Sequence, residues 1–206
     1  MSQILEALVQ RKSVRTFKDK PVGEEMVQLL LRAAACAPSW GDARPWHFVV
    51  LEDIKIITRI PEFHPESAVL LKCPLAIALF GEPQREGFPG SWPLDCAAAM
   101  ENVLLQAQAL HLGAVWLGVY PHERRMHALE ALLEVPPHIR AFGVAAVGHP
   151  GENPSPREER FDPSRVHYGS WRSTEAESES DEFDKPDEPE AVPEHHGGEE
   201  GRAEHA

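Results

Sequence analysis

The sequence predicts one α+β domain followed by an acidic tail. Four short apolar runs have the length of strands, and four other segments have apolar residues at helical spacing. The 206 residues are enough for one domain with a sizeable core. The formal net charge of -13 is concentrated at the end of the chain, because residues 172–206 contain 13 acidic and three basic side chains. We therefore predict a folded domain over residues 1–171 and a disordered acidic tail over residues 172–206.

The predicted helices begin and end at ordinary sequence signals. The first ends at Gln10, and the second begins near Glu24 and stops before Pro38. The third, residues 95–110, is apolar around most of its circumference, which predicts a central and buried helix. The fourth, residues 122–133, has a charged face and is predicted to lie at the surface.

The predicted strands are residues 46–51, 74–80, 115–120 and 141–148. The first two are apolar without alternation, which predicts burial on both faces of the sheet. A helical or irregular link joins them at residues 53–72, and a flexible loop follows at residues 82–93. After the last strand, residues 149–171 form an extended, rather apolar arm, and we expect this arm to pack on a partner subunit.

Several classes of protein are disfavoured by the absence of their motifs. No Gly-x-Gly-x-x-Gly follows a strand and no P-loop is present, so neither a Rossmann dinucleotide fold nor a P-loop fold is supported. No spacing of His, Cys or Glu predicts a metal site, and no Ser, His and Asp arrangement predicts a catalytic triad. If the chain is an enzyme, we therefore expect a cofactor to supply the chemistry.

Location and macromolecular partners also follow from composition. Cys36, Cys73 and Cys96 are an odd number and far apart, which predicts reduced thiols in a cytoplasmic protein. Neither a secretory signal nor an apolar run of about 20 residues is present, so no membrane association is predicted. Outside the tail the chain is almost neutral and has no continuous basic stripe, which disfavours nucleic-acid binding.

Two polar loops are the candidate functional segments. The first places three cations and a hydroxyl within Arg11 to Arg15, and such groups suit a phosphate, although a solvated basic turn is the alternative. The second, residues 37–46, has prolines and tryptophans around Ser39, Asp42 and Arg44. Polar groups beside flat apolar surfaces suit a planar ligand, although a plain helix-to-strand connection is the alternative.

Five motifs occur in a recognisable order. They are Arg11-Lys12-Ser13-Val14-Arg15; Ala37-Pro38-Ser39-x-x-Asp42-x-Arg44-Pro45-Trp46; Asp95-Cys96-Ala97-Ala98-Ala99-x-x-Asn102; Gly113-x-x-x-Trp116-Leu117-Gly118; and Gly148-His149-Pro150 with Arg160 following. In this order and spacing the chain resembles the nitroreductase family of FMN-dependent NAD(P)H oxidoreductases, especially the shorter, clostridial-type members. The resemblance covers about residues 3–171.

The resemblance implies a three-layer α-β-α sandwich with a central mixed, mostly antiparallel sheet flanked by helices. It also implies a homodimer in which the C-terminal arm is exchanged onto the partner subunit and FMN lies at the subunit interface, two per dimer.

The resemblance further assigns four groups of residues to the flavin. The phosphate, ribityl chain and pyrimidine edge would be held by Arg11, Lys12, Ser13 and Arg15. The flavin would be reached from the other subunit by Pro38, Ser39, Trp40, Asp42 and Arg44. The isoalloxazine would lie against Trp116, Leu117 and Gly118, with a backbone N–H near N5. The phosphate would also be approached from the C-terminal arm by Arg160.

Three positions depart from the family's usual pattern, which has Asn at Asp42, Gln at Arg44 and commonly Arg at Lys12. Asp42 is the hardest to accommodate, because a carboxylate cannot donate a hydrogen bond to a flavin carbonyl or ring nitrogen as an amide can. It would turn away, pair with Arg44 or be protonated. Since two departures occur together, we expect an Asp42–Arg44 pair.

The activity that the resemblance implies is hydride transfer from NADH or NADPH through flavin N5 to an electron-poor acceptor, nitroaromatic or quinone-like, by a ping-pong mechanism. One alternative is a specialised flavin enzyme of the same fold, such as a dehalogenase-like or flavin-fragmenting member. The other is a flavin-binding redox sensor without turnover. No individual catalytic side chain is predicted, because the flavin would supply the chemistry.

Overall fold

The computed structural model describes residues 3–151 and 160–171. The chain divides into a body up to Glu158 and a C-terminal unit that begins at Glu159. In the C-terminal unit, the described residues include one short 3-10 turn, Pro163–Arg165. The predicted acidic tail lies outside the described residues.

A four-stranded sheet is the centre of the body. Its strands are β1 (Trp46–Leu51), β2 (Leu75–Gly81), β3 (Gly113–Gly118) and β4 (Arg140–Gly148). They lie in the order β1-β2-β4-β3, and each neighbouring pair is antiparallel. The middle strands, β2 and β4, are buried along nearly their whole length, which explains why their sequences are apolar without alternation.

The prediction that the first strand is buried on both faces is wrong. β1 lies at an edge of the sheet and pairs with β2 alone, so His47 and Val50 are exposed. A continuous apolar run indicates a strand, but it does not say whether the strand is central or at an edge. The predicted sheet is mixed and mostly antiparallel, and within residues 3–151 and 160–171 the observed parallel pairing is one isolated bridge, between Ser13 and Ala114.

The described residues contain five α-helices, named α1 (Gln3–Gln10), α2 (Glu24–Ala35), α3 (Ile54–Ile57), α4 (Trp92–Ala109) and α5 (Glu123–Leu132). The predicted central helix is α4, which packs across all four strands, while α2 packs on α4 and α5 packs on β4. This helix begins at Trp92, earlier than predicted, because Pro93 lies in its first turn, where a missing N–H costs no hydrogen bond.

The link between β1 and β2 is mostly helical turns, as predicted. It contains α3 and two 3-10 segments, Ile60–Glu62 and Pro65–Lys72. Strand β3 begins at Gly113 and ends at Gly118, two residues earlier at each end than the predicted 115–120. None of the helices in the described part of the chain is long and apolar enough to cross a membrane.

All three cysteines are free thiols, as predicted. Cys36 is exposed, whereas Cys73 and Cys96 are buried. Burial raises the pKa of Cys73 to about 11, since the thiolate would lose its hydration. Burial also raises the pKa of Cys96, and the nearby Asp95 carboxylate adds to the effect. The two buried thiols are therefore unreactive core residues at neutral pH.

The absence of a side chain at Gly113 allows the first polar loop to approach β3. The Val14 N–H donates to the carbonyl oxygen of Ala114 at 2.9 Å. A Cβ on Gly113 would lie 2.6 Å from Cγ1 and 2.8 Å from Cβ of Val14. Because the backbone of Val14 is held on the strand, rotation of its side chain cannot relieve both contacts.

Gly113→Ala should therefore destabilise the protein by about 1–3 kcal/mol, the usual cost of overpacking. The measurement is the free energy of unfolding from urea titration. Gly23→Ala is the matched control, because no heavy atom lies within 4 Å of a Cβ at Gly23, where φ is -64°. Equal unfolding free energies for the wild type and Gly113→Ala would contradict this close approach.

Candidate functional site

The first polar loop, residues 11–15, lies along the edge of β3 that does not face β4; we call it the basic loop. The parallel bridge between Ser13 and Ala114 holds it there. Arg11 is held from α4, since its Nε lies 3.3 Å from Oε1 of Glu101. Ser13 and Arg15 are exposed, and Arg11 and Lys12 are half-buried. The four predicted phosphate-side residues are therefore presented together at one edge of the sheet.

The predicted motif Trp116-Leu117-Gly118 completes β3 beyond the basic loop. Leu117 is buried, whereas Trp116 and Gly118 are exposed. The Trp116 ring packs on Phe142, with 5.4 Å between the ring centroids. No heavy atom lies within 4 Å of the position that a Cβ would occupy on Gly118. The fold thus brings the basic loop and this open, flat surface onto the same strand.

A buried histidine fixes the end of that surface. His64 is 2% exposed, and its Nε2 lies 2.9 Å from the carbonyl oxygen of Gly118. Since a carbonyl oxygen can only accept, Nε2 carries the proton. The other ring nitrogen, Nδ1, lies 3.4 Å from Oε2 of Glu66. The sequence treated His64 as one histidine among many, because its role depends on a contact across 54 residues.

The second polar loop has an unusual backbone between Ser39 and Arg44; we call residues 39–44 the Trp40 loop. Gly41, Asp42 and Arg44 have φ angles of +58°, +56° and +49°. The loop is braced from within, because the Ser39 hydroxyl accepts the N–H of Arg44 at 3.0 Å. Left-handed residues other than glycine are uncommon and are held by surrounding bonds, so this loop has a defined shape.

The predicted Asp42–Arg44 pair is confirmed. Arg44 Nε donates to Asp42 Oδ1 at 2.8 Å, and Arg44 Nη2 donates to Asp42 Oδ2 at 2.6 Å. This bidentate pair lowers the pKa of Asp42 below its ordinary value and raises the pKa of Arg44. Asp42 is therefore ionised at neutral pH, which excludes the protonated alternative, and both side chains are exposed in the single chain.

A single chain keeps the two loops apart. The Trp40 loop leads into β1, and the basic loop pairs with the outer edge of β3, on the opposite side of the sheet. The strands β1 and β3 are themselves about 14 Å apart, across three strand spacings. Trp46 pairs with Gly81 at one end of β2, whereas the Ser13 bridge aligns with Leu75 at the other end. This placement fits a ligand shared between two chains better than a ligand enclosed by one.

The remaining predicted residues are Pro38, at the start of the second loop, and Arg160. Pro38 is exposed, beside the Trp40 loop. Arg160 belongs to the C-terminal unit and is exposed. Its approach to a phosphate stays a prediction.

Sequence reasoning missed two carboxylates on α4 that hold the loops. Buried Asp95 accepts the N–H of Trp40 through Oδ1 at 3.0 Å, and Glu101 contacts Arg11. They are six positions apart along the helix, so their side chains point in directions about 120° apart around its axis. The sequence does show two acidic residues in a largely apolar helix. Buried acidic side chains usually have a partner, but the sequence does not indicate which residue that partner is.

Known proteins are similar to this chain in sequence and in fold. The model of the family described as "Nitroreductase family" matches residues 8–70 and 64–149. A Methanothermobacter thermautotrophicus protein named "Putative NADH dehydrogenase/NAD(P)H nitroreductase" is 43% identical over 168 residues, which are 82% of this chain and 87% of that protein.

Two solved structures extend the comparison. A Parabacteroides distasonis protein of the same name gives a TM-score of 0.79 at 36% identity, over 83% of this chain and all of that chain. A "putative nitroreductase in complex with fmn" from Desulfovibrio desulfuricans gives 0.70 at 28% identity, over 78% of this chain and 94% of that chain. The fold is an α+β oxidoreductase fold. The chain belongs to the nitroreductase family.

The pKa of Asp42 provides a test of the pair that needs no ligand. Arg44→Gln should raise the pKa of Asp42 back toward the ordinary value for aspartate, as measured by carboxyl carbon NMR titration. Arg15→Gln is the matched control. Because the pKa of Asp42 is lowered on folding, the pair stabilises the native loop at neutral pH, and this contribution is lost as the pH falls through the lowered pKa. An Asp42 pKa unchanged by Arg44→Gln would contradict the bidentate pair.

Proposed function

We propose that this member of the family is an FMN-dependent oxidoreductase that uses NADH or NADPH to reduce an electron-poor small molecule. The observation that carries the proposal is the meeting, on β3, of the basic loop and the open Trp116–Gly118 surface. When bound, FMN would accept hydride from the nicotinamide at N5 and, once that product has left, pass it to a nitroaromatic or quinone-like acceptor.

The basic loop is proposed to bind the phosphate end and the pyrimidine edge of FMN. Glu101 beside Arg11 Nε fixes the direction of the guanidinium, so that less side-chain entropy is lost on binding. Ser13 and Arg15 are exposed, and Lys12 is half-buried, so all can reach a ligand on this edge. Cations at the pyrimidine edge favour negative charge there, which tunes the flavin toward accepting electrons.

The Trp116–Gly118 surface is proposed to carry the isoalloxazine, with a backbone N–H near N5. The open space over Gly118 supports this, since a side chain there would occupy the place of the ring. His64 holds the Gly118 carbonyl from the buried side and so limits rotation of the neighbouring peptide group. These residues place the ring; none of them needs to exchange a proton with it.

We propose that each site is built by two chains of a homodimer, with Trp40, Asp42 and Arg44 supplied by the partner. The opposite placement of the two loops supports this. So does a cleft of about 360 Å³ among α1, α2 and α4, lined mainly by apolar residues such as Ala7, Ala33 and Leu105. Leu29 and Leu94 are also 41% and 71% exposed in the single chain, and a second copy would cover such surface.

The Asp42–Arg44 pair, supplied by the partner chain in this proposal, explains how a carboxylate that cannot donate a hydrogen bond is tolerated beside the flavin. The charge of Asp42 is matched by Arg44, so the loop would bring a nearly neutral, prearranged group to the flavin rather than a lone carboxylate. The guanidinium, rather than an amide, would then be the donor that faces the ligand.

We further propose that the protein works in the cytoplasm, since three free thiols suit a reducing compartment.

The visible absorption spectrum tests the proposed function. Purified protein should be yellow, or become yellow with FMN, and should bleach promptly when NADH or NADPH is added without oxygen. Yellow protein that does not bleach would favour the redox sensor. Yellow protein that bleaches but is not reoxidised by a quinone or nitroaromatic would favour a specialised enzyme of the same fold. Protein that takes up no FMN would contradict the proposal.

Arg11→Ala should weaken FMN binding by about 10- to 100-fold, because a charge-assisted hydrogen bond contributes about 1.5–3 kcal/mol. Dissociation constants can be measured from the quenching of FMN fluorescence on binding. Arg124→Ala, on the exposed face of α5, is the control for loss of one surface arginine. Full FMN retention by Arg11→Ala would refute the phosphate assignment.

A further inference from the structure

We propose that Asp95 is a positioning residue of the flavin site, which fixes the backbone of Trp40 from the first turns of α4 without itself contacting the flavin. The inference rests on the proposed function, because it takes the Trp40 loop as the partner's contribution to FMN. Trp40, Asp42 and Arg44 are the residues that it places.

The connection between Asp95 and Trp40 joins distant parts of the chain. Oδ1 of Asp95 accepts the Trp40 N–H at 3.0 Å, and 55 residues separate the two. The other hydrogen bonds described for residues 39–44 are internal to the loop. Among the described residues, the Asp95 carboxylate is therefore the hydrogen-bonding group that ties the strained loop to the rigid core.

The loop is the kind of segment that needs such an anchor. Gly41, Asp42 and Arg44 have left-handed φ angles, and the two non-glycine residues pay a conformational cost there. The internal bonds can set the shape of the loop, but they cannot set its direction relative to the body. Asp95 lies on an 18-residue buried helix, so its carboxylate gives a fixed reference point.

The Asp95 carboxylate is buried and only partly hydrogen-bonded. Asp95 is 6% exposed, and its Oδ2 is buried without a hydrogen-bond partner in the described part of the chain. Burial of an unpaired carboxylate oxygen costs free energy, only part of which the N-terminal dipole of α4 can offset. Among the described residues, the hydrogen bond from the Trp40 N–H is the contact that compensates this carboxylate.

The start of α4 also holds Trp40 from a second side. The Trp92 N–H donates to Oε2 of Glu86 at 3.3 Å, which ties residues 86–88 to the helix. The Phe88 ring lies 5.3 Å from the Trp40 ring, and a Cβ on Gly87 would collide with the Trp40 carbonyl oxygen. Two kinds of contact thus place Trp40. Its N–H donates to Asp95, and it packs against Gly87 and Phe88.

Two variants at Asp95 separate the hydrogen bond from the charge. Asp95→Asn keeps an oxygen that can accept from Trp40 and removes the charge, whereas Asp95→Ala removes both. If the hydrogen bond positions the loop, FMN affinity should fall about tenfold in Asp95→Ala and change less than about threefold in Asp95→Asn. If Asp95 only stabilises the N-terminus of α4 through its charge, both variants should lose the same affinity and the same unfolding free energy.

Hydrogen exchange of the apo protein provides the readout that does not depend on FMN. Exchange of the Trp40 amide, followed by NMR or by mass spectrometry of a peptide spanning residues 37–46, should be about tenfold faster in Asp95→Ala than in the wild type. Asp95→Asn should restore most of the protection. Gly87→Ala should also weaken FMN binding, because it displaces the Trp40 carbonyl while leaving Asp95 intact.

The outcomes distinguish this inference from the proposed function. Wild-type exchange and wild-type FMN affinity in Asp95→Ala would overturn the positioning role while leaving the proposed function standing. Equal losses in Asp95→Asn and Asp95→Ala would also overturn it. A wild type that takes up no FMN would contradict both the proposed function and the flavin role of Asp95. The exchange rates would then show only whether the bond to Trp40 exists.

Discussion

The packing of α4 across all four strands is the contact on which the rest of the structure depends. Much of this helix is buried, and two of its acidic side chains contact the two polar loops, while Asn102 donates to a carbonyl of α2. Asp95 holds the Trp40 loop and Glu101 holds the basic loop, in different directions around the helix. One element thus places both candidate halves of the site, and it keeps them on opposite edges of the sheet.

Most of the fold could be predicted, because local patterns determine it. Apolar runs located all four strands to within a few residues, and helical periodicity located α2, α4 and α5. The errors have physical causes. The apolar sequence of β1 indicated a buried strand, but only the strand order shows that it is an edge. The sequence pattern alone assigns Pro93 to the preceding loop, so the predicted start of α4 is three residues late. Proline is in fact common in the first turn of a helix.

The candidate site could be predicted where its residues are close in sequence. The Asp42–Arg44 pair joins residues two positions apart. Because both positions depart from the family's usual pattern, the sequence itself suggested that the two side chains interact. His64, Asp95 and Glu101 could not be assigned in this way. Their partners lie 54, 55 and 90 residues away along the chain. The residue type alone does not indicate which distant peptide group or guanidinium each side chain contacts. Such supporting residues become visible only when the sheet and helices are assembled.

In the proposed dimer, one flavin site needs the basic loop of one chain and the Trp40 loop of another. This requirement is tested most directly with a heterodimer purified through two different tags, in which one chain carries Arg11→Ala and the other carries Trp40→Ala and Arg44→Ala. Both lesions then fall in the same site, and the second site is intact. We expect about one FMN per heterodimer and little FMN in either variant homodimer. A heterodimer with as little FMN as both homodimers would contradict the shared site, because a site contained within one chain would be damaged in each subunit.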